Sequence, residues 1–253
     1  MSAYHVLPPA DAPPPAPPVH LPRLLASHLA LPMGLVAVAA VLLWHGGDQR
    51  WADLLYRAEG GHWALREHWL TAGLLHRGGK LASLLAACTV VGSYAHALHC
   101  PARARLRLPL LYLLLALVAT TTTVSLLKSV TGIDCPWDLV GYGGPHRHHA
   151  LWQAIPAGQA AGRCFPAGHA SAGYAWVSLY FFAHLLEQPR RARAGLVVGI
   201  LAGAVLGLGQ QLRGAHFLSH DLASLAVCWS VSLGVFLLFR SRPGQGPAVE
   251  AAP

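Results

Sequence analysis

Long apolar runs constrain this chain more than any other feature. Residues 24–45, 81–98, 109–127, 170–187, 195–212 and 221–239 are dominated by aliphatic and aromatic side chains. About 20 mostly apolar residues suffice for a helix to cross the hydrocarbon layer. Only 11% of the 253 residues are charged and 54% are hydrophobic, whereas soluble domains carry about 25% charge. The expected fold class is therefore all-α: a polytopic membrane protein of about six transmembrane helices, in one domain over residues 24–240. No room remains for a separate soluble domain.

The ends of the chain read differently. Residues 1–23 ("MSAYHVLPPADAPPPAPPVHLPR") are Pro-rich and are expected to be a disordered tail, as is the segment 241–253. The first lacks the early cationic region of a secretory signal. Residues 51–76 mix Trp, Leu and charges, and read as an amphipathic segment at the membrane interface, with Trp51, Trp63 and Trp69 at headgroup depth.

The net charge of +8 raises the question of nucleic acid. The cations lie mostly in short loops beside apolar runs, as in "CPARARLRLP" and "EQPRRARAG". That is a topological signal, since cationic loops stay cytoplasmic. No nucleic-acid partner is expected. The lysines and arginines divide evenly between the two faces, but the arginines are denser in the loops 99–108 and 188–194, so these are assigned to the inside. Either way, the segments 128–169 and 213–220 are separated by two spans and share one face.

Those segments hold the chemistry. "LLKSVTGIDCPWDL" ends the third run at Lys128, "RCFPAGHASAG" opens the fourth at His169, and "LRGAHFLSHDLAS" joins the fifth to the sixth. Together they place a lysine, an arginine and three histidines at membrane-end positions on one face. Fixed cations and a helix start suit a phosphate dianion. One histidine can attack phosphorus and another can protonate the leaving oxygen. Phosphoryl transfer depends mostly on positioning and charge, so such a cluster needs no metal or cofactor.

In order and topology the three pieces resemble the type 2 phosphatidic acid phosphatase (PAP2)/haloperoxidase superfamily, in its membrane lipid-phosphatase branch. That family carries KxxxxxxRP, then PSGH, then SRxxxxxHxxxD. Lys128 and Pro136 fit the first motif, but Cys135 stands at its arginine. Gly168 and His169 fit the second, and Ala167 replaces its serine. His216 takes the nucleophile's place in the third. Gln210 stands where the third motif has arginine, and Arg213 lies one turn before His216; His220 occupies the aspartate position, with Asp221 next to it. The resemblance implies that His216 forms a phosphohistidine and that His169 is the general acid. Lys128 and Arg213 would hold the phosphate, with the amides at Ala167 and Gly168. Either His220 or Asp221 would fix the tautomer of His216: spacing on a helix favours the first, chemistry the second. Arg147 and Arg163 are candidates to replace the missing arginine.

The implied activity is hydrolysis of a lipid phosphate monoester or diphosphate at the periplasmic face of a bacterial inner membrane. Phosphatidic acid, phosphatidylglycerophosphate, undecaprenyl diphosphate and lipid A phosphate all present this headgroup. Rival readings are a phosphotransferase using the same phosphohistidine, a lipid-binding pseudo-enzyme, and a cytochrome or metal protein suggested by the sixteen histidines, although the span histidines His28, His96 and His184 form no obvious ligand set. Cys135 and Cys164 flank the site, and an oxidising periplasm would allow a disulfide between them; two free thiols are the alternative. The cluster His146, His148 and His149 reads as a solvated loop rather than a metal site.

Overall fold

The computed structural model describes residues 21–240, and every regular element among them is helical. Nearly all of the two expected tails lies outside the described residues; residues 21–23 open the first helix. The helices are α1 (Leu21–Trp44), α2 (Gly47–Ala58), α3 (Gly79–His99), α4 (Arg107–Val130), α5 (Gly168–Tyr174), α6 (Ser178–Leu185), α7 (Pro189–Gln211) and α8 (Leu218–Arg240). A π-helical stretch, Trp69–Gly78, runs directly into α3.

Four helical stretches are long and apolar enough to cross a membrane: Trp69–His99, Pro101–Val130, Pro189–Gln211 and Leu218–Arg240. A fifth is counted if α1 and α2, which meet at a 71° bend, form one broken span. The expected fourth span is the shortfall. A single turn of 3-10 helix at Ala175–Val177 divides it into the short helices α5 and α6.

Packing follows from residue size. Gly199 and Gly203 on α7 allow close backbone approach: a Cβ on Gly199 would lie 2.4 Å from the Val177 nitrogen, and one on Gly173 would lie 2.4 Å from the Gly203 nitrogen. Small residues at four-residue spacing are a common way for helices in lipid to meet. On the other side α8 packs against α1 and α4. The core between them contains Tyr112, Tyr174, Phe181, Trp229 and Phe236. Thr120, in the threonine run of α4, is buried and returns its hydroxyl to the Ala116 carbonyl at 2.8 Å.

The segment 51–76 departs from the expectation of interfacial helices. Only α2 is a separate amphipathic helix, and residues 69–76 belong to the start of a span. Trp51 donates to the Gln211 side chain at 2.7 Å. Trp63 packs between Tyr56 and Tyr142, with centroids at 5.2 and 5.6 Å. Two of the three tryptophans therefore brace the site-bearing loop internally, while Trp69 is exposed.

Candidate active site

The site forms where three backbone segments converge at one end of the bundle. Lys128 lies in the last turn of α4, His169 in the first turn of α5, and Arg213 and His216 in the turn from α7 to α8. That turn needs glycine. Gly214 has φ +70°, and its carbonyl accepts from the Trp137 backbone N–H at 2.9 Å. The long loop before α5 is fastened by the Cys135–Cys164 disulfide, whose Cα atoms are 5.2 Å apart. The Cys164 N–H also donates to the Ile133 carbonyl at 2.9 Å.

These segments enclose an open cavity of ≈ 470 Å³. Lys128, Gly168, His169, Arg213, His216, Cys135 and Cys164 all line it. His76, Lys80, Ser125, Trp137 and Gln210 complete much of the wall, and no carboxylate is among the lining residues. Several cations and no carboxylate on the wall make this space favourable for an anion.

Arg213 is buried and partly committed. Its Nε donates to the Arg66 carbonyl at 2.7 Å, and one terminal nitrogen donates to Gln210 Oε1 at 3.1 Å. The other lies 3.6 Å from the exposed Glu67 carboxylate. A guanidinium has five N–H donors, so some remain for the cavity. The group also lies 5.8 Å from the centroid of the Trp137 ring.

His216 is buried, and its Nδ1 is enclosed with no hydrogen-bond partner among the described residues. Burial holds its pKa well below the usual histidine value, and the nearby His220 and Lys128 push the same way. The ring is therefore a neutral imidazole. The His220 ring stands 5.8 Å away, and the Cys164 backbone carbonyl acts on both rings. Asp221 turns away: it accepts from Gln211 Nε2 at 2.5 Å and packs on Gly207. Between the two candidates for orienting His216, the structure brings His220 alongside and leaves Asp221 in the contact between α7 and α8. Ala167 is also outside the cavity. It is fully buried, its N–H donates to the His220 carbonyl at 3.2 Å, and its own carbonyl accepts from Ser224.

Two residues that sequence reasoning missed as site residues are His76 and Lys80. The His76 and His169 rings stack, with centroids 4.1 Å apart and planes 20° apart. His76 closes the segment 51–76 that reads as interfacial in the sequence, and Lys80 stands between that segment and the next apolar run; the helical continuation into α3 turns both toward the site. Asp48 was missed as well. It is buried and accepts from the backbone N–H of Ser219 at 3.0 Å and from the Ser219 hydroxyl, which caps α8 from a distance.

The loop histidines also differ from the solvated cluster expected. Asp134 accepts a 2.7 Å contact from His146 Nδ1 and lies 3.6 Å from His149, which is buried. The carboxylate comes from twelve residues earlier in the chain, so local spacing could not reveal it. Behind His220, a second small cavity of ≈ 40 Å³ is lined by Asp48, Asp134, His148 and His149 among others. No group of three or more His, Cys, Asp or Glu among the described residues is arranged to hold a metal ion. Arg163 is exposed beside Lys128 and acts on its charge, whereas Arg147 joins neither cavity.

Neither a curated protein nor a solved structure matches the chain. A family match does, under the description PAP2 superfamily, over residues 109–243. The match covers more than half of the chain, includes Lys128, His169, Arg213 and His216, and ends beyond the last helix. With those four side chains around one cavity, the chain belongs to the PAP2 superfamily.

Proposed function

We propose that the protein is a membrane lipid phosphatase that works through a phosphohistidine on His216. Members of this superfamily are generally phosphatases. The observation that carries the reading is the single cavity in which His216, His169, Lys128 and Arg213 meet without a lining carboxylate. Because His216 Nδ1 is enclosed, Nε2 is the nitrogen left to attack. It forms a bond to phosphorus while the bond from phosphorus to the leaving oxygen breaks, and His169 gives that oxygen its proton. Water then attacks phosphorus and surrenders a proton to His169. The P–N bond breaks, and phosphate leaves with both histidines restored. Lys128 and Arg213 stabilise the charge on the transferred group throughout.

An adjoining groove supports a lipid substrate. It has a volume of ≈ 620 Å³, is lined by residues of α3, α5 and α7 including Ala82, Trp176 and Leu206, and shares Ala172 with the polar cavity. A hydrocarbon tail in the groove would deliver its phosphate to His216. The proposed setting is a bacterial inner membrane with the site toward the periplasm, where an oxidising environment keeps Cys135 and Cys164 joined.

The test is phosphate release in detergent with a chelator, using phosphorylated lipids and a water-soluble phosphate ester, by wild type and His216→Ala. Release from lipids by wild type alone supports the reading. Equal release by the folded variant refutes it.

A further inference from the structure

The cavity has more cationic surface than transfer of one phosphate to His216 requires. Its charges are spread along the wall. Lys128 acts on His216 and His220, and a Cβ on Gly168 would lie 3.5 Å from its Nζ. Arg213 acts on both His76 and His169, and Lys80 acts on His76. His169 is the residue proposed to protonate the leaving group, and its ring stacks on His76 with centroids 4.1 Å apart, so His76 and the neighbouring Lys80 sit on the leaving-group side.

We propose that Lys80, with His76, forms a second anion subsite that takes the phosphate adjacent to the transferred one, so that the preferred substrate is a lipid diphosphate. This deepens the phosphatase reading and rests on it for the chemistry.

When a monoester is cleaved, the leaving group is an alcohol, and a proton from His169 suffices. When a diphosphate is cleaved, the leaving group is a lipid phosphate whose bridging oxygen gains negative charge. Cations beside that oxygen stabilise the transition state more than the ground state, which is what accelerates a reaction. Arg213 is partly engaged by Arg66, Gln210 and Glu67, and its remaining donors serve the transferred phosphate. Lys80 has no hydrogen bond or ion pair to another described residue. His76 Nδ1 is enclosed, and the Gln210 side chain lies close to the ring. His76 comes from the π-helical stretch and Lys80 from the first turn of α3, both outside the segment that matches the superfamily. Within that segment the positions of both motif arginines are occupied by Cys135 and Gln210. Lys80 thus returns charge to a site that has lost it, at a different position.

His216 Nε2 bonds to the terminal phosphorus, and the bond from that phosphorus to the bridging oxygen breaks. The electron pair stays on the leaving lipid phosphate, which takes the proton of His169. Water then releases inorganic phosphate as before.

Two readouts test the subsite on the purified full chain. Calorimetry compares binding of inorganic phosphate and inorganic diphosphate to wild type, Lys80→Gln, Lys80→Arg and His76→Phe. Kinetics compares an isoprenyl monophosphate with its diphosphate. Wild type is expected to favour the diphosphate in both. Lys80→Gln should weaken diphosphate binding and lower kcat/KM for the diphosphate by tenfold or more, while phosphate binding and monophosphate turnover change less than twofold. Lys80→Arg should restore the preference. His76→Phe keeps a ring against His169 and should lose part of the diphosphate preference. Equal losses for both ligands in Lys80→Gln, or no loss, overturn the subsite while leaving the phosphatase reading intact. Lys80-dependent diphosphate binding without phosphate release from any substrate would support the subsite and refute the phosphatase reading.

Discussion

Replacing Gly214 with alanine tests whether the turn carrying Arg213 and His216 is held as described. Two costs add. Gly214 has φ +70°, a left-handed conformation that costs an L-residue about 1–2 kcal/mol. The new Cβ would also lie 2.4 Å from Trp63 Cε2. The indole cannot simply retreat, because Tyr56 and Tyr142 flank it at 5.2 and 5.6 Å. Overpacking of this kind costs about 1–3 kcal/mol. The expected loss is thus about 2–5 kcal/mol, read from SDS-driven unfolding of the purified chain. Relief of the clash would also pull on Trp137, whose N–H bonds the Gly214 carbonyl and whose ring lines the cavity, so turnover should fall even in the protein that remains folded. A cycle with Trp63→Leu separates the two costs. In that background the Gly214→Ala loss should shrink to about 1–2 kcal/mol, the backbone share alone. A Gly214→Ala protein as stable as wild type, or a loss unchanged by Trp63→Leu, would refute the reasoning.

Asp48→Ala should destabilise the chain by about 1–2 kcal/mol, the usual value of a helix cap, and lower turnover by loosening the start of α8; Asp48→Asn, which keeps one acceptor for Ser219 N–H, should lose less. Opening the Cys135–Cys164 disulfide, which links residues 29 apart in sequence, should cost about 3–4 kcal/mol by the loop-entropy relation. A 2 Da mass increase on reduction, with alkylation of two further thiols, would verify the bond. The depressed pKa of His216 sets a pH dependence. Below about 6.5 the unfolded chain binds a proton at this residue that the folded chain refuses, so stability falls as pH drops through that value. His216→Gln should flatten that decline, and an equally steep decline in the variant would contradict the buried neutral ring.

The parts legible in the sequence were those set by composition and by short motifs. Apolar runs gave the helical membrane class, and parity of spans put Lys128, His169 and His216 on one face. The missed parts depend on long-range contacts or on local register. His220 and Asp221 are adjacent in sequence, and only the path of α8 decides that the first lies beside His216 and the second against Gly207. His76 was hidden because the segment 51–76 looks amphipathic, and Lys80 because it stands between that segment and the next apolar run; their continuous helical path into α3 has no sequence signal of its own. Asp134 and Asp48 bond partners 12 and 171 positions away, beyond the reach of any motif. The break at Ala175–Val177 was likewise invisible, since the residues there are as apolar as their neighbours.

The most direct test of the account is to trap the covalent intermediate. Wild type and His216→Ala would be mixed with a lipid carrying a labelled terminal phosphate, quenched within a turnover, and examined for protein-bound label. The account predicts an acid-labile, alkali-stable label on wild type, mapped to His216 and absent from the variant. Turnover without any such label, or label retained in His216→Ala, would contradict it.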